Sequence, residues 1–349
     1  MTHASVRERC PLNSHTLICA IGTPLTEQEA LHREGLELHV HDQWAGGATG
    51  ILVGGTMGAM QMLADATYVE LLRHAVQFSR GRGEVMAGIG DTSLARTVQR
   101  AEVAAGAKAD AVVVLSPYFI PVAQDELVAY FSAVADRSSL PVYLYDLPAL
   151  TRTTLEPETI ARLAKHPNIV GIKCSRDVCH IRRLVELDLP NFRVIAAQAE
   201  CVDILLRHGY RQHLDGVFAL APFRATEIFA AADAGDWDAA ARAQATFVTL
   251  LTILRLHGVF PTFGAILNAR GIPGSFAPAP LRPLDAATRD AVLHEPIVRE
   301  LAERYHAGAT SGRPRVHRVS AHAQGNGDGD GDGATSKADP SRPIPAAGT

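Results

Sequence analysis

Short apolar segments recur along the chain and alternate with segments whose apolar residues are spaced as on one face of a helix. The eight apolar segments cover residues 16–22, 49–55, 84–90, 110–116, 141–146, 169–175, 192–198 and 215–221. Continuous apolar runs of this length are typical of parallel strands that are covered on both faces. The pattern therefore predicts eight buried strands, each followed by a helix.

The segments between these runs predict the helices and their order. The first of them begins at Thr26, has Glu29 three residues later as in a capping box, and ends in a glycine pair. Strands that alternate with helices are parallel and joined by right-handed crossovers, and eight such units close most naturally into a barrel. An open, doubly wound sheet is the alternative, which the pattern does not exclude. We predict an α/β fold, a (β/α)8 TIM barrel, over residues 16–222.

Three further parts flank the predicted barrel. Residues 1–15 form an N-terminal arm, and residues 223–308 form a C-terminal helical extension. The apolar stripes of the extension need a partner surface, either the barrel wall or another subunit. Residues 309–349 are dominated by Gly, Ser, Pro, Asp and Arg, with almost no large apolar residue. This composition predicts a disordered tail.

Composition and charge narrow the class of protein. The chain of 349 residues is 47% hydrophobic and 20% charged, with a formal net charge of −4, so nothing favours nucleic acid or an anionic membrane as a partner. No apolar run reaches the length of a membrane span, and no signal-peptide pattern follows the N-terminus. Five widely spread cysteines argue against a disulfide framework. We therefore expect a cytoplasmic protein.

Two spacings that resemble metal sites are set aside. Cys174 and Cys179 are spaced C-x4-C without a second pair, which disfavours zinc. The aspartates at 328–339 follow the spacing of a calcium loop, but the twelfth position is Asp339, a proline follows, and neither flank is helical. We expect no metal site and no cofactor.

Lys173 is the most informative candidate for chemistry. It lies in the segment IVGIKCS, which is otherwise apolar. Burying a lysine is costly unless it is paired or loses its proton, and desolvation makes its amine a nucleophile toward carbonyls. The alternative is a lysine at a strand end that reaches solvent or pairs with Asp177. From this segment alone, the nucleophilic lysine and the exposed or paired lysine are equally supported.

Two further features lie at predicted strand ends, where the active sites of barrels are built. Tyr145 in PVYLYD places a phenol where it could relay protons, although a buried tyrosine with a satisfied hydroxyl is the simpler interpretation. The turn GGTMG at 54–58 offers backbone N–H groups that could hold a carboxylate or a phosphate. Each signal is weak when it is taken alone.

Together these motifs resemble the dihydrodipicolinate synthase/N-acetylneuraminate lyase family of class I aldolases, from about residue 16 to about residue 300. The motifs occur in the family's order: GGTMG (54–58), AGIGDTS (87–93), SPYF (116–119), YDLPAL (145–150) and GIKCS (171–175). The separation between Tyr145 and Lys173 agrees with the family without a gap. The resemblance implies a (β/α)8 barrel with a C-terminal helical extension, in an oligomer built from dimers.

The resemblance also implies roles for individual residues. Lys173 would form an iminium with the 2-oxo group of the substrate, and Tyr145 would relay protons together with the hydroxyl of Thr56. The backbone N–H groups of Thr56 and Met57, next to Gly55, would hold the substrate carboxylate. The further candidate substrate-binding residues are Tyr118, Leu150, Glu200 and Phe218.

The chain departs from the family pattern at several of these positions. Met57 stands where a second hydroxyl residue is usual, Ala59 replaces a glutamate, and Phe119 replaces a relay tyrosine. Leu150 occupies the position of the arginine that grips the second substrate in the synthase branch, and Glu200 falls where the sialic-acid lyase branch has a polyol-binding glutamate. The departures disfavour the standard synthase reaction.

The resulting prediction is a Schiff-base-forming lyase. It would cleave or dehydrate a small, sugar-acid-like 2-oxo acid with pyruvate as product, and would assemble as a homodimer or homotetramer. The alternative is a non-catalytic or altered barrel of the same family that binds a small carboxylate ligand. Met57, Ala59 and Phe119 favour this alternative, whereas the presence of both Lys173 and Tyr145 favours the enzyme.

Overall fold

A computed structural model of the protein describes residues 14–310, with side chains up to residue 304. Most of the predicted N-terminal arm lies outside these residues, as does the predicted tail from residue 311 onward, including the aspartate pattern at 328–339. Within the described range, no helix is both long and apolar enough to cross a membrane.

Eight parallel strands form a closed barrel in which each strand pairs with its neighbours in the chain and the last pairs with the first. The strands are β1 (Thr16–Ala20), β2 (Gly50–Val53), β3 (Glu84–Gly88), β4 (Ala111–Leu115), β5 (Val142–Asp146), β6 (Ile169–Cys174), β7 (Arg193–Ala196) and β8 (Gln212–Asp215). The predicted (β/α)8 TIM barrel is therefore confirmed, and the open sheet is excluded.

Helices follow the strands and form the outer layer. Around the barrel they are α1 (Arg33–Ala45), α2 (Asp65–Ser79), α3 (Leu94–Ala107), α4 (Gln124–Arg137), α5 (Pro148–Thr151), α6 (Pro157–Leu163), α7 (Val178–Glu186) and α8 (Val202–Arg207). The C-terminal helices are α9 (Pro222–Asp233), α10 (Trp237–His257), α11 (Val259–Ala269), α12 (Ala286–His294) and α13 (Pro296–Thr310). Several of these helices begin at a side-chain cap, as α7 does at Asp177.

The eighth strand lies earlier than predicted. The apolar segment 215–221 contributes only Asp215 to β8, and Val217–Leu220 form a 3-10 helix. The ring of Phe218 in this turn packs edge-on against Phe247 of α10. A short apolar run is compatible with a buried strand or a buried turn, and here the backbone pairing with β1 selects the more polar residues 212–215.

The first helix also begins later than predicted. Leu25 pairs with Ser275, and the backbone N–H of Thr26 donates to the oxygen of Ala30 in a turn. Helix α1 begins at Arg33, capped by the ring of His32. The predicted capping box at Thr26 is therefore wrong, because this segment pairs with the C-terminal part of the chain instead.

Side chains alternate between the barrel interior and the helix layer, as the two-residue period of a strand requires. On β5, Tyr143 and Tyr145 belong to the interior cluster, whereas Leu144 belongs to the outer one. On β6, Ile172 and Cys174 face the helices. The position of a residue along its strand therefore determines whether its side chain faces the barrel interior or the helix layer.

A buried polar network closes the N-terminal end of the barrel. Arg193 donates to Glu84 at 2.8 Å and to Gln212 at 2.6 Å, and its guanidinium also contacts the hydroxyl of Tyr143 at 3.3 Å. Arg193 and Glu84 are each only 5% exposed at the side chain. The network leaves the C-terminal end of the strands as the place for a site.

Gly171 fits β6 between its neighbours on both sides. A Cβ atom there would lie 2.4 Å from the backbone oxygen of Arg193 and 2.7 Å from the ring of Tyr143. The pairing of β5 with β6 also shifts register between Val142 and Tyr143. Glycine is needed at this position because β6 approaches its neighbours closely.

Candidate active site

Lys173 and Tyr145 lie opposite each other at the C-terminal ends of β6 and β5. They are paired in the register of the two strands. The Lys173 Nζ lies 3.6 Å from the centre of the Tyr145 ring and 3.4 Å from the Ser175 hydroxyl. Both residues are buried, at 6% and 5% exposure. The strand register therefore brings an amine and a phenol into contact at the end of the barrel where active sites form.

Thr56 joins this pair from the turn after β2. Its hydroxyl donates to the Tyr145 hydroxyl at 3.4 Å. The turn begins at Gly54, whose φ of 60° is in the left-handed region, and a Cβ atom there would lie 2.9 Å from the ring of Tyr68. The three predicted catalytic residues are thus in mutual contact through Tyr145.

The same turn presents backbone donors. The N–H groups of Thr56 and Met57 make no hydrogen bond within the described part of the chain, whereas those of Ala59 and Met60 are used inside the turn. The turn is anchored by the hydroxyl of Thr23, which donates to the oxygen of Gly58 at 2.7 Å. Successive free N–H groups in a fixed turn form a concave site for an anion.

The predicted substrate-binding residues divide into two groups. Gly55 is buried in the turn, Met57 is half-buried and packs against Gly216, and Tyr118 packs against the interior cluster near the site. Burial, together with the negative charge of Asp91, raises the pKa of Tyr118. These residues lie around the Lys173 end of the barrel.

The others lie farther out or are enclosed. Leu150 is 56% exposed on α5, the short helix after β5. Phe218 is fully buried against Phe247, so its ring is not available to a ligand, contrary to the substrate-binding role that we predicted. The apolar segment that carries Phe218 packs into the helix layer because it forms a 3-10 turn rather than a strand.

Glu200 is held in a two-point ion pair that the sequence did not indicate. Arg255, near the end of α10, donates to both carboxylate oxygens of Glu200 at 2.7 Å each. These hydrogen bonds hold the pKa of Glu200 below its usual range. Arg255 is 55 residues away in the chain, so no local motif could have pointed to it.

A second acidic group stands near the lysine. Burial raises the pKa of Asp215, at the end of β8, and the positive charge of Lys173 opposes this effect. The Asp215 carboxylate accepts from the backbone N–H of Val217 at 3.1 Å. Ser175, two residues after Lys173 on the same side of the chain, is the other contact that the sequence analysis did not single out.

Behind the pair, Asp146 and Cys174 point away from the barrel interior. Asp146 accepts from the backbone N–H of Leu155 at 3.2 Å, and burial raises its pKa to about 6. Burial also raises the pKa of the Cys174 thiol to about 12. These two residues directly follow Tyr145 and Lys173 in the chain, so they mark the opposite face of the same two strand ends.

Comparison with known proteins agrees with this geometry. The model of the dihydrodipicolinate synthetase family matches residues 13–295. A 4-hydroxy-tetrahydrodipicolinate synthase 1 from Streptomyces coelicolor is 33% identical over 279 residues, which cover 79% of this chain and 91% of that protein. A 4-hydroxy-tetrahydrodipicolinate synthase from Stenotrophomonas maltophilia is 37% identical over 205 residues, covering 58% of this chain and 68% of that protein.

Solved structures show the same likeness. The structure of YagE, a prophage protein of the dihydrodipicolinic acid synthase family from E. coli K12 in complex with pyruvate, superimposes with a TM-score of 0.76 at 27% identity. The match covers 82% of this chain and 98% of that one. The resemblance that the sequence motifs indicated is therefore confirmed: the chain belongs to the dihydrodipicolinate synthetase family and is a lyase of that family.

Proposed function

We propose that the enzyme forms a Schiff base between Lys173 and the 2-oxo group of a pyruvate-type acid. The observation that carries the proposal is the contact between the Lys173 amine and Tyr145 at the open end of the barrel. The amine attacks the carbonyl carbon, the oxygen leaves as water after protonation, and an iminium remains. Relatives support the choice of acid, since two proteins of similar fold are described in complex with pyruvate.

The carboxylate of the substrate binds at the turn after β2. The free N–H groups of Thr56 and Met57 supply two hydrogen bonds that require no second hydroxyl side chain. The replacement at Met57 therefore removes one side-chain contact but leaves the backbone donors in place. With its carboxylate held there, the substrate presents its 2-oxo carbon to Lys173.

Tyr145 moves the protons of the reaction. Its hydroxyl lies within 3.4 Å of Thr56, which links it to the carboxylate-binding turn. In the cleavage direction, a base accepts the proton of a substrate hydroxyl, the C–C bond breaks, and its electrons neutralise the iminium as an enamine. Protonation of the enamine and hydrolysis of the new iminium release pyruvate and regenerate the amine.

For the distal half of the substrate we propose a hydroxylated, sugar-acid-like chain. Leu150 offers an exposed apolar surface on α5, after β5, where a charged second substrate would find no cation from this residue. Glu200 offers carboxylate oxygens that accept hydrogen bonds from hydroxyl groups while Arg255 fixes its position. Both cleavage to pyruvate and dehydration without loss of carbon fit this arrangement.

A second candidate is the condensation named by the relatives. The relatives from Streptomyces and Stenotrophomonas are 4-hydroxy-tetrahydrodipicolinate synthases, so pyruvate would be joined to an aldehyde rather than released. The iminium at Lys173 is common to both directions. Assays of 3-deoxy-2-oxo sugar acids for released pyruvate and for dehydrated oxo acid, set beside an assay of pyruvate consumption with an added aldehyde, separate the candidates by product.

The Schiff base itself is tested by reductive trapping. The protein is incubated with pyruvate and borohydride, digested, and its peptides are weighed by mass spectrometry. We expect one reduced adduct, on Lys173, and its loss in Lys173→Ala but not in the control Lys165→Ala, whose lysine is exposed. A folded protein that yields no adduct on Lys173 refutes the mechanism and favours a non-catalytic barrel that binds carboxylates.

We further propose a homodimer or homotetramer in the cytoplasm. Phe119 and Ile120, in the loop after β4, are 88% and 67% exposed, and this loop contacts the one after β5 through the hydrogen bond from Val122 to Thr153 at 3.3 Å. Large apolar side chains that are exposed together favour a protein interface. Sedimentation of the wild type and of Phe119→Ser tests this: a smaller species for the variant supports the interface, and a monomeric wild type refutes it.

A further inference from the structure

Three metal-ligating side chains converge behind the catalytic pair, between the barrel wall and the helix layer. Asp146 ends β5, Cys174 ends β6, and His180 lies in the first turn of α7. One ligand atom from each of the three lies within 4.8 Å of the other two. The three residues are 0%, 0% and 2% exposed. This cluster is separate from the interior site because strand alternation turns Asp146 and Cys174 away from it.

Two atoms in the cluster lack the partners that buried polar groups normally have. Neither the Oδ2 atom of Asp146 nor the Nε2 atom of His180 has a hydrogen-bond partner among residues 14–310. They face each other at 3.9 Å, which is beyond hydrogen-bond distance. Leaving a buried acceptor unpaired costs free energy, so a group that satisfies both atoms at once is favoured.

We propose that Asp146, Cys174 and His180 bind one zinc ion. A carboxylate, a thiolate and an imidazole form a ligand set that zinc uses, and they are poorly matched to calcium or magnesium, which prefer oxygen ligands. In a tetrahedral zinc site, ligand atoms lie roughly 3.3–3.8 Å apart for the usual bond lengths. The separations in the cluster reach at most 4.8 Å, which exceeds this range by about 1–1.5 Å, so binding the ion requires the three side chains to move together by about this much.

The balance of charge and protons is consistent with this ion. Binding converts the Cys174 thiol to a thiolate and releases one proton to solvent. One carboxylate, one thiolate and a neutral imidazole then match the two positive charges of zinc. The backbone N–H of Arg176 donates to the Cys174 sulfur and would stabilise its anionic form.

The guanidinium of Arg176 provides positive charge near the cluster when no metal is bound. Its positive charge acts on both Asp146 and Cys174, and lowers the pKa of each against the effect of burial. In the metal-free protein this guanidinium acts on the cluster together with the backbone N–H groups of Leu155 and Arg176. Zinc replaces it as the main counter-charge and ties β5, β6 and α7 together directly behind Tyr145 and Lys173.

Cobalt provides the test because a thiolate bound to Co²⁺ absorbs strongly in the near ultraviolet. The full chain, without a histidine tag, is stripped with a chelator and titrated with Co²⁺ and then with Zn²⁺. We expect a thiolate-to-cobalt band that saturates at one ion per chain, and its loss when zinc displaces the cobalt. Absence of the band in the wild type overturns the proposal, whatever the variants do.

Matched variants locate the site. Cys174→Ser removes the band, and His180→Gln lowers the affinity by about 100-fold or more, since even indirect partners of a metal contribute 10–100-fold. Cys179→Ser and His208→Gln, whose side chains are exposed, retain the band and the affinity. A band that survives Cys174→Ser, or that disappears in Cys179→Ser, places the metal elsewhere and refutes the site. Because the readout is spectroscopic, it is independent of borohydride trapping at Lys173.

Discussion

The Nζ atom of Lys173 lies 3.6 Å from the centre of the Tyr145 ring, and the two residues are directly paired across β5 and β6. The phenol oxygen is used differently from the ring, because it contacts the hydroxyl of Thr56. One side chain therefore has two separable contributions. The ring contacts the amine, and under the proposed mechanism the hydroxyl would relay protons.

Replacing Tyr145 by Phe separates these contributions. The ring contact with Lys173 remains, so the pyruvate adduct still forms, but turnover falls by about 10²–10⁴-fold because the proton donor is lost. Steady-state rates and the rate of borohydride trapping measure the two effects. Tyr143→Phe, which removes a hydroxyl lower in the same strand, serves as the control and retains the turnover rate. Equal turnover in both variants would exclude a role for the Tyr145 hydroxyl.

Glu200→Gln tests the distal half of the proposed site. Loss of a charged acceptor raises KM for hydroxylated substrates by about 10–100-fold, which corresponds to about 1.5–3 kcal/mol for a hydrogen bond to a charged group. Trapping of pyruvate, which has no distal chain, stays unchanged. The control Glu186→Gln removes another exposed ion pair, with Arg182, and leaves KM unaltered. An unchanged KM in Glu200→Gln would remove this residue from the substrate site.

Arg193→Met tests the polar network at the closed end of the barrel. The variant leaves Glu84 buried without its partner, which destabilises a fold by about 3–5 kcal/mol. Denaturant unfolding measures the loss, and adding Glu84→Gln restores part of it by removing the orphaned charge. Arg182→Met, at an exposed ion pair, costs at most about 1 kcal/mol. Similar losses for the two arginine variants would contradict the importance of burial here.

Two buried histidines lower the stability of the protein in mild acid, and Asp146, whose pKa burial raises to about 6, opposes their effect in the same pH range. Burial, reinforced by the charge of Arg270, lowers the pKa of His39 to about 3. Burial lowers the pKa of His213 to about 4, against a backbone hydrogen bond with Tyr210. Both are near 6.5 in the unfolded chain, so the unfolded state binds more protons below that pH. The stabilising effect is complete above pH 6.5 and is lost as the pH falls toward 4.

The expected slope is about 1.4 kcal/mol per pH unit for each histidine in this window. Unfolding free energies measured between pH 6 and pH 4.5 test the prediction. His39→Gln keeps a polar group beside the N–H of Gly22 and reduces the slope by one histidine's share. His208→Gln, which replaces an exposed ring, leaves the slope as it is. A slope that His39→Gln does not change would show that His39 is protonated in the folded state.

The sequence predicted the barrel because its strands are buried on both faces and therefore appear as continuous apolar runs. The same property misplaced β8, whose residues Gln212 and His213 are polar but buried, while the apolar residues after Asp215 turn into the helix layer. An apolar segment indicates that residues are buried, but both strands and turns can be buried. The position of β8 is set by its backbone pairing with β1, which the sequence of one segment does not reveal.

The interior of the site was predictable from motifs, and its surroundings were not. Lys173, Tyr145 and Thr56 lie in short segments that mark the C-terminal ends of β6, β5 and β2, which all open at the same end of the barrel. Two contacts depend on how helices pack against the barrel: the ion pair of Glu200 with Arg255 on α10, and the approach of His180 on α7 to Asp146. The spacing of residues along the sequence does not predict such contacts.

Gly171 has a consequence for the whole chemistry of the protein. Adjacent residues on β5 and β6 belong to different compartments, so a displacement of β6 by one residue would send the amine among the helices and bring the thiol of Cys174 into the barrel. Which side chains face the barrel interior therefore depends on the register of the strand as well as on its residues. Because a side chain at position 171 would collide with Arg193 and Tyr143, Gly171 favours the register in which Lys173, and not Cys174, faces the barrel interior.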